Sequence, residues 1–125
     1  MSLVETGPVA TIELKQIAHA RSGDKGDHAN VGVIAYTVAG YDYLSRELTA
    51  ARVQEYFAGL NPSRVERFEL PRLHAFNFML YDALAGGASR SLRIDTQGKL
   101  LASAVLELKL PRPEHLDQML RHVVQ

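Results

Sequence analysis

The chain has 125 residues, enough for one domain with its own apolar core, and 46% of them are hydrophobic. There is no cysteine, which excludes a disulfide framework and a thiolate metal site. Fourteen lysines and arginines balance fourteen aspartates and glutamates, so no basic footprint marks a nucleic-acid binder, and weak self-repulsion favours a homo-oligomer. No apolar run approaches the roughly 18 residues of a membrane span and no signal-peptide pattern opens the chain, so a cytoplasmic protein without membrane association is expected.

Residues 1–10 read as a tail and residues 11–125 as a single domain. Ile12, Leu14 and Ala18 alternate with Glu13, Lys15 and His19, the pattern of a half-exposed strand. Ser22 to Asp27 are six consecutive polar or glycine residues and read as a loop. Val31 to Val38 reads as a buried strand, with Gly32 marking a bulge or a close backbone approach, and Gly40 breaks the run. Leu48, Val53, Tyr56, Phe57 and Leu60 recur at helical spacing, which predicts a helix over 49–59 with Thr49 as N-cap and Gly59 as stop.

Asn61-Pro62 ends that helix, and Val65, Phe68 and Leu70 among charges predict a strand over 64–70, closed by Pro71. Leu73, Phe76, Leu80 and Leu84 step by three and four, predicting a helix over 74–85 stopped by Gly86-Gly87. Leu92 and Ile94 form a short strand, Asp95 to Gly98 a four-residue turn, and Leu100 to Leu110 a long strand apolar on both faces. Leu116, Met119, Leu120 and Val123 mark a short C-terminal helix. This order gives an α+β domain, a two-layer sandwich of a mainly antiparallel sheet with helices packed on one face.

The 20–30 segment carries most of the chemistry. Gly23 and Gly26 let a ligand approach the backbone, successive amides in a turn bind anions, and Arg21 and Lys25 add positive charge for a carboxylate or phosphate. Asp24 and Asp27, with Asn30 as a third oxygen, offer a hard-cation site instead, although their spacing lacks the ligand alternation of an EF-hand. In a third reading the aspartates hold the turn through Asx hydrogen bonds and pair with Arg21 and Lys25.

His19 and His28 flank the segment as candidate general bases or as simple strand-end residues. His74 and Asn77, three apart on the expected second helix, form another candidate pair near its N-terminus. Neither Ser22 nor Ser89 lies in a nucleophile elbow, and no Walker loop or Gly-x-Gly-x-x-Gly occurs, so no cofactor is expected. His115 and His122, seven apart, read as exposed rather than ligating.

Ala20-Arg21-Ser22-Gly23-Asp24-Lys25-Gly26-Asp27 followed by Ala29-Asn30-Val31-Gly32-Val33-Ile34 resembles the hallmark of the C-terminal domain of the acyclic terpene utilisation AtuA family. Leu73-His74-Ala75-Phe76-Asn77-Phe78, the Leu84 to Gly87 stretch, Leu92-Arg93-Ile94-Asp95 and Gln97-Gly98-Lys99 are similar to it in the same order, over about residues 12 to 109. The resemblance implies a ferredoxin-like fold. It also implies catabolism of terpenoid or branched acids through acyl-CoA intermediates, and a partnership with the larger domain that precedes this one in many members. Matching positions are Arg21, Ser22, Gly23, Asp24, Lys25, Gly26, Asp27, Asn30, His74 and Asn77; the resemblance assigns no catalytic role to any of them. Three functions remain open: an accessory subunit or domain that contributes the 21–30 loop to a composite site, a stand-alone small enzyme or binding protein for a carboxylate or acyl-CoA, and a homo-oligomeric scaffold.

Overall fold

The computed structural model describes residues 10–83 and 99–121. The expected tail (but for Ala10), the Gly86-Gly87 stop, the 92–94 strand, the 95–98 turn and the end of the C-terminal helix lie outside the described residues.

Apolar alternation at the N-terminus does produce strands, but two of them. β1 (Thr11–Glu13) is separated from β2 (Ala18–Lys25) by a 3-10 turn at Leu14–Gln16. β3 (His28–Ala35) follows, with every second residue buried. Helices α1 (Val38–Glu47) and α2 (Ala50–Tyr56) lead to β4 (Arg64–Leu70), and a 3-10 turn at Pro71–Leu73 leads to β5 (Ala75–Tyr81). Helix α3 (Lys99–Val105) and strand β6 (Lys109–Pro111) follow, then a single 3-10 turn at Leu116–Gln118. The main sheet is antiparallel in the order β2-β3-β5-β4, and β1 pairs with β6 in a separate two-stranded sheet. β3, the two helices and β4 make a split βαβ unit with β5 inserted between its strands, the ferredoxin-like arrangement. No helix among the described residues is long and apolar enough to cross a membrane.

Five local expectations are corrected. Ser22 to Lys25 are not loop: they continue β2 in unbroken register with β3, and only Gly26 and Asp27 lie between the paired residues Lys25 and His28. Gly26 has φ +66° and Asp27 is not left-handed, which suits a two-residue hairpin with glycine first. A polar sequence is tolerated because, among the described residues, β2 is an edge strand. Gly32 makes no bulge; it pairs with Arg21 on one side and Asn77 on the other. The apolar run through Val38 turns helical because the Thr37 side chain caps α1, accepting the Gly40 N–H at 3.0 Å.

The expected 74–85 helix is β5. Phe76, Phe78 and Leu80 also alternate with period two, and that period wins because all three are fully buried against the helices. Conversely, the expected 100–110 strand begins as α3. Within α3 the buried residues are Leu101 and Val105, four apart, and the Ala102 N–H donates to Ser22 Oγ at 2.9 Å. The 49–59 helix is found as α2, with Thr49 accepting the Arg52 N–H at 3.1 Å.

The core lies between the sheet and the helices: Val31, Val33, Phe76, Phe78 and Leu80 from the sheet meet Leu44, Leu48 and Val53 from α1, α2 and their junction. Tyr43 on α1 is buried, and its hydroxyl donates to the Pro111 carbonyl, tying the helix layer to β6. Burial, aided by Glu47 and opposed by Arg52 and Arg46, pushes its pKa up to about 12 from the ordinary 10.0. The folded state therefore holds this proton more tightly than the unfolded chain. The resulting stabilisation is complete below pH 10 and is lost as the pH climbs towards 12. Tyr43→Phe should cost about 1 kcal/mol at neutral pH, the worth of one hydrogen bond, and should flatten part of the alkaline loss. Thermal melts at neutral pH and between pH 10 and 12 check this; an unchanged alkaline slope in the variant would refute it.

Candidate functional site

One face of the four-stranded sheet is covered by helices, and side chains of alternate parity point to the other. The register lays these in rows across the strands. Arg21, Gly32, Asn77 and Phe68 form one row, His19, Ile34, Ala75 and Leu70 a second, and Gly23, Asn30, Met79 and Glu66 a third. Gly32, Asn30, Asn77 and Ala75 on the central strands, flanked by longer side chains such as Arg21, His19, Phe68 and Leu70 on the outer strands, make a trough of about 530 Å³. Its floor is Gly32, Asn30, Asn77 and Ala75. Arg21 and His19 stand on the β2 side, and Phe68, Leu70 and the turn residue Leu73 on the β4 side.

The floor is polar and ordered. Asn30 Nδ2 donates to Asn77 Oδ1 at 3.3 Å, across 47 positions of sequence. A Cβ at Gly23 would come within 3.2 Å of Asn30 Oδ1, so glycine there leaves room for that amide. At Gly32 a Cβ would meet Arg21 O at 3.8 Å and Asn77 Oδ1 at 3.9 Å, ordinary contact, so the empty floor is not enforced by crowding. The β4 wall is apolar and open: Phe68 is 42% exposed, Leu70 41% and Leu73 65%. Among the described residues no ion pair involves Arg21, Asp24 or Asp27.

The structure thus brings together Arg21, Gly23, Asn30 and Asn77 but disperses the other candidates. Ser22 lies on the helix-covered parity, where its Oγ accepts the Ala102 N–H. Asp24, paired with Ala29, has that parity too, while Asn30 has the other, and Asp27 is exposed in the turn beside Gly26, so these three oxygen ligands do not share a face. Lys25 closes β2 opposite His28. No cluster of three metal-ligating side chains occurs among the described residues.

His74 stands apart from Asn77: it is the left-handed residue that ends the 71–73 turn (φ 52°), and its carbonyl accepts the Ala35 N–H at 2.8 Å. Its ring lies 6.0 Å from Tyr41, which stacks on Phe76 at 4.7 Å on the helix-covered side. Histidine, like the other left-handed residues Asn61 and Asp82, tolerates this conformation, which gives the position a backbone reason. His28 is also engaged, its Nδ1 accepting the Asp82 N–H at 2.9 Å while Ser63 Oγ donates to Asp82 Oδ2 at 2.6 Å. At the same end of the open face the Tyr81 hydroxyl donates to Glu66 Oε1 at 2.9 Å. That bond, with burial and the Glu66 charge, raises the phenol pKa, and Arg64, 4.2 Å above the ring, opposes it.

Phe68, Leu70 and Leu73 were not among the expected site residues. Their signal was in the sequence: Val65 and Phe68 are three apart, so in a strand they face opposite ways, and only one of them can belong to the core.

No curated protein and no solved structure matches this chain. The family model for the AtuA ferredoxin-like domain matches residues 12–111, spanning β2 to β6 and all of β1 but Thr11, together with the hairpin and Asn77. With four fifths of its length inside that match and the sheet order the fold requires, the chain belongs to the AtuA ferredoxin-like domain family.

Proposed function

We propose that this chain acts as an accessory domain or subunit of an AtuA-like protein. Its open sheet face docks on the larger AtuA-like region, and the 21–30 hairpin completes a composite site in the breakdown of terpenoid or branched acyl compounds. The observation that carries this reading is the coincidence of two features on one face. Phe68, Leu70 and Leu73 leave apolar surface that gains by being covered, and beside them lie Arg21, Asn30 and Asn77 of the family motif. Docking buries the former and closes water out from the latter.

The test is co-purification of a tagged form of this chain with the larger AtuA-like chain. A Phe68→Glu, Leu73→Glu double variant is expected to fold normally, because both residues are exposed, and to lose about 100-fold or more in affinity, since each substitution puts a charge into a desolvated interface. Absence of any complex between the purified chains overturns the proposal. A second copy of this chain covering the same face would appear instead as a dimer in light scattering, abolished by the same variant.

A further inference from the structure

The trough has a chemical asymmetry that identifies a ligand class. On its β2 wall stands one guanidinium, Arg21, with no carboxylate partner among the described residues. On its β4 wall, across the same row, stands the Phe68 ring, continued by Leu70 and Leu73. Between them the floor is cut away at Gly32, on the second strand of a four-stranded sheet. Glycine weakens such a strand and any Cβ there would fit, so its cost is offset only if the space is used. With Asn77 Oδ1 engaged by Asn30, the Asn77 amide nitrogen remains available as a donor beside that space.

We propose that the trough binds a monoanionic carboxylate with an apolar body. The carboxylate seats over Gly32 between the Arg21 guanidinium and the Asn77 amide, and the hydrocarbon part lies along Phe68, Leu70 and Leu73. A guanidinium fork matches a carboxylate's two oxygens, and the volume is in the range of small-molecule sites. One guanidinium in the lining suits one negative charge rather than the several phosphates of a coenzyme A. The inference uses the face invoked for docking but is tested on the chain alone, so its failure and the failure of docking are separate results.

The experiment is an NMR titration of the isotope-labelled chain with octanoate, octanol and octyl phosphate. Octanoate should bind saturably, moving the amide signals of Arg21, Gly32 and Asn77. Octanol should bind about tenfold or more weakly, and Arg21→Gln should weaken octanoate by a similar factor, the usual worth of a charged hydrogen bond. Gly32→Ala should weaken octanoate about fivefold or more by filling the seat, while its melting temperature holds or rises because alanine suits a strand better than glycine. That opposition of binding and stability is not expected of a glycine kept for the fold. Absence of saturable binding, equal affinity for octanol, tighter binding of octyl phosphate, or unchanged octanoate affinity in Arg21→Gln and Gly32→Ala would each overturn the assignment.

Discussion

Phe76→Ala should lower the unfolding free energy by about 3–5 kcal/mol, whereas Phe68→Ala, eight positions back on the neighbouring strand, should cost less than about 1 kcal/mol. The two phenylalanines differ only in the face they take. Phe76 is fully buried, stacked on Tyr41 at 4.7 Å with the Arg67 guanidinium 5.0 Å from its ring, so its truncation removes buried apolar volume and leaves a cavity. Phe68 is 42% exposed on the open face, and its truncation returns little apolar surface to water. For a domain of this size the Phe76→Ala loss corresponds to a melting-temperature drop on the order of 10–15 °C. Denaturant melts of both variants decide the matter; comparable costs would mean that the sheet does not have one covered and one open face.

Arg67→Met should be the most damaging removal of a charged side chain, at about 2–3 kcal/mol. Arg67 has the core-facing parity of β4, and its side chain is only 18% exposed. Its Nη1 donates to the carbonyls of Ser45 and Leu48 at 3.1 and 3.0 Å, at the C-terminal end of α1, where carbonyls lack helical partners and a positive charge is favoured. The pair with Glu69 at 2.5 Å is half in solvent on the carboxylate side and adds little, so Glu69→Gln should be nearly silent. Methionine keeps an unbranched apolar stem but removes the donor to both carbonyls. Lysine restores the charge without the fork and should recover less than half of the loss. Melts combined with hydrogen exchange in α1 would measure this, and full rescue by lysine would show that charge alone matters.

Much of the architecture was readable locally. Thr49 before an apolar period of three and four is a helix start, and it caps α2. Pro62 and Pro71 bracket β4 because neither can extend a regular element through itself. The α+β class with helices on one face followed from the same signals. The failures share one cause. Residues 74–85 and 100–110 each carry apolar residues that satisfy both a two-residue and a 3.6-residue period, and local propensity does not choose between them. β5 is chosen because it fits between β3 and β4, and α3 because Leu101 and Val105, four apart, are then buried together. Polarity alone makes the 22–25 stretch read as loop, whereas a strand that is at the sheet edge among the described residues, with one open face, has no need of apolar residues.

The sequence by itself determined that this is a one-core α+β chain, that residues 20–30 carry the densest chemistry, and that Asn30 and Asn77 belong to two separated motifs. Composition, caps and short motifs are local properties, and local physics enforces them. Only the tertiary structure decided that Arg21, Gly32, Asn77 and Phe68 form one row, that Asp24 and Ser22 have the opposite parity, and that His74 is spent on a turn. Those outcomes depend on strand register, and register is set by burying Val31, Phe78 and their neighbours together, a choice made across the whole sheet at once.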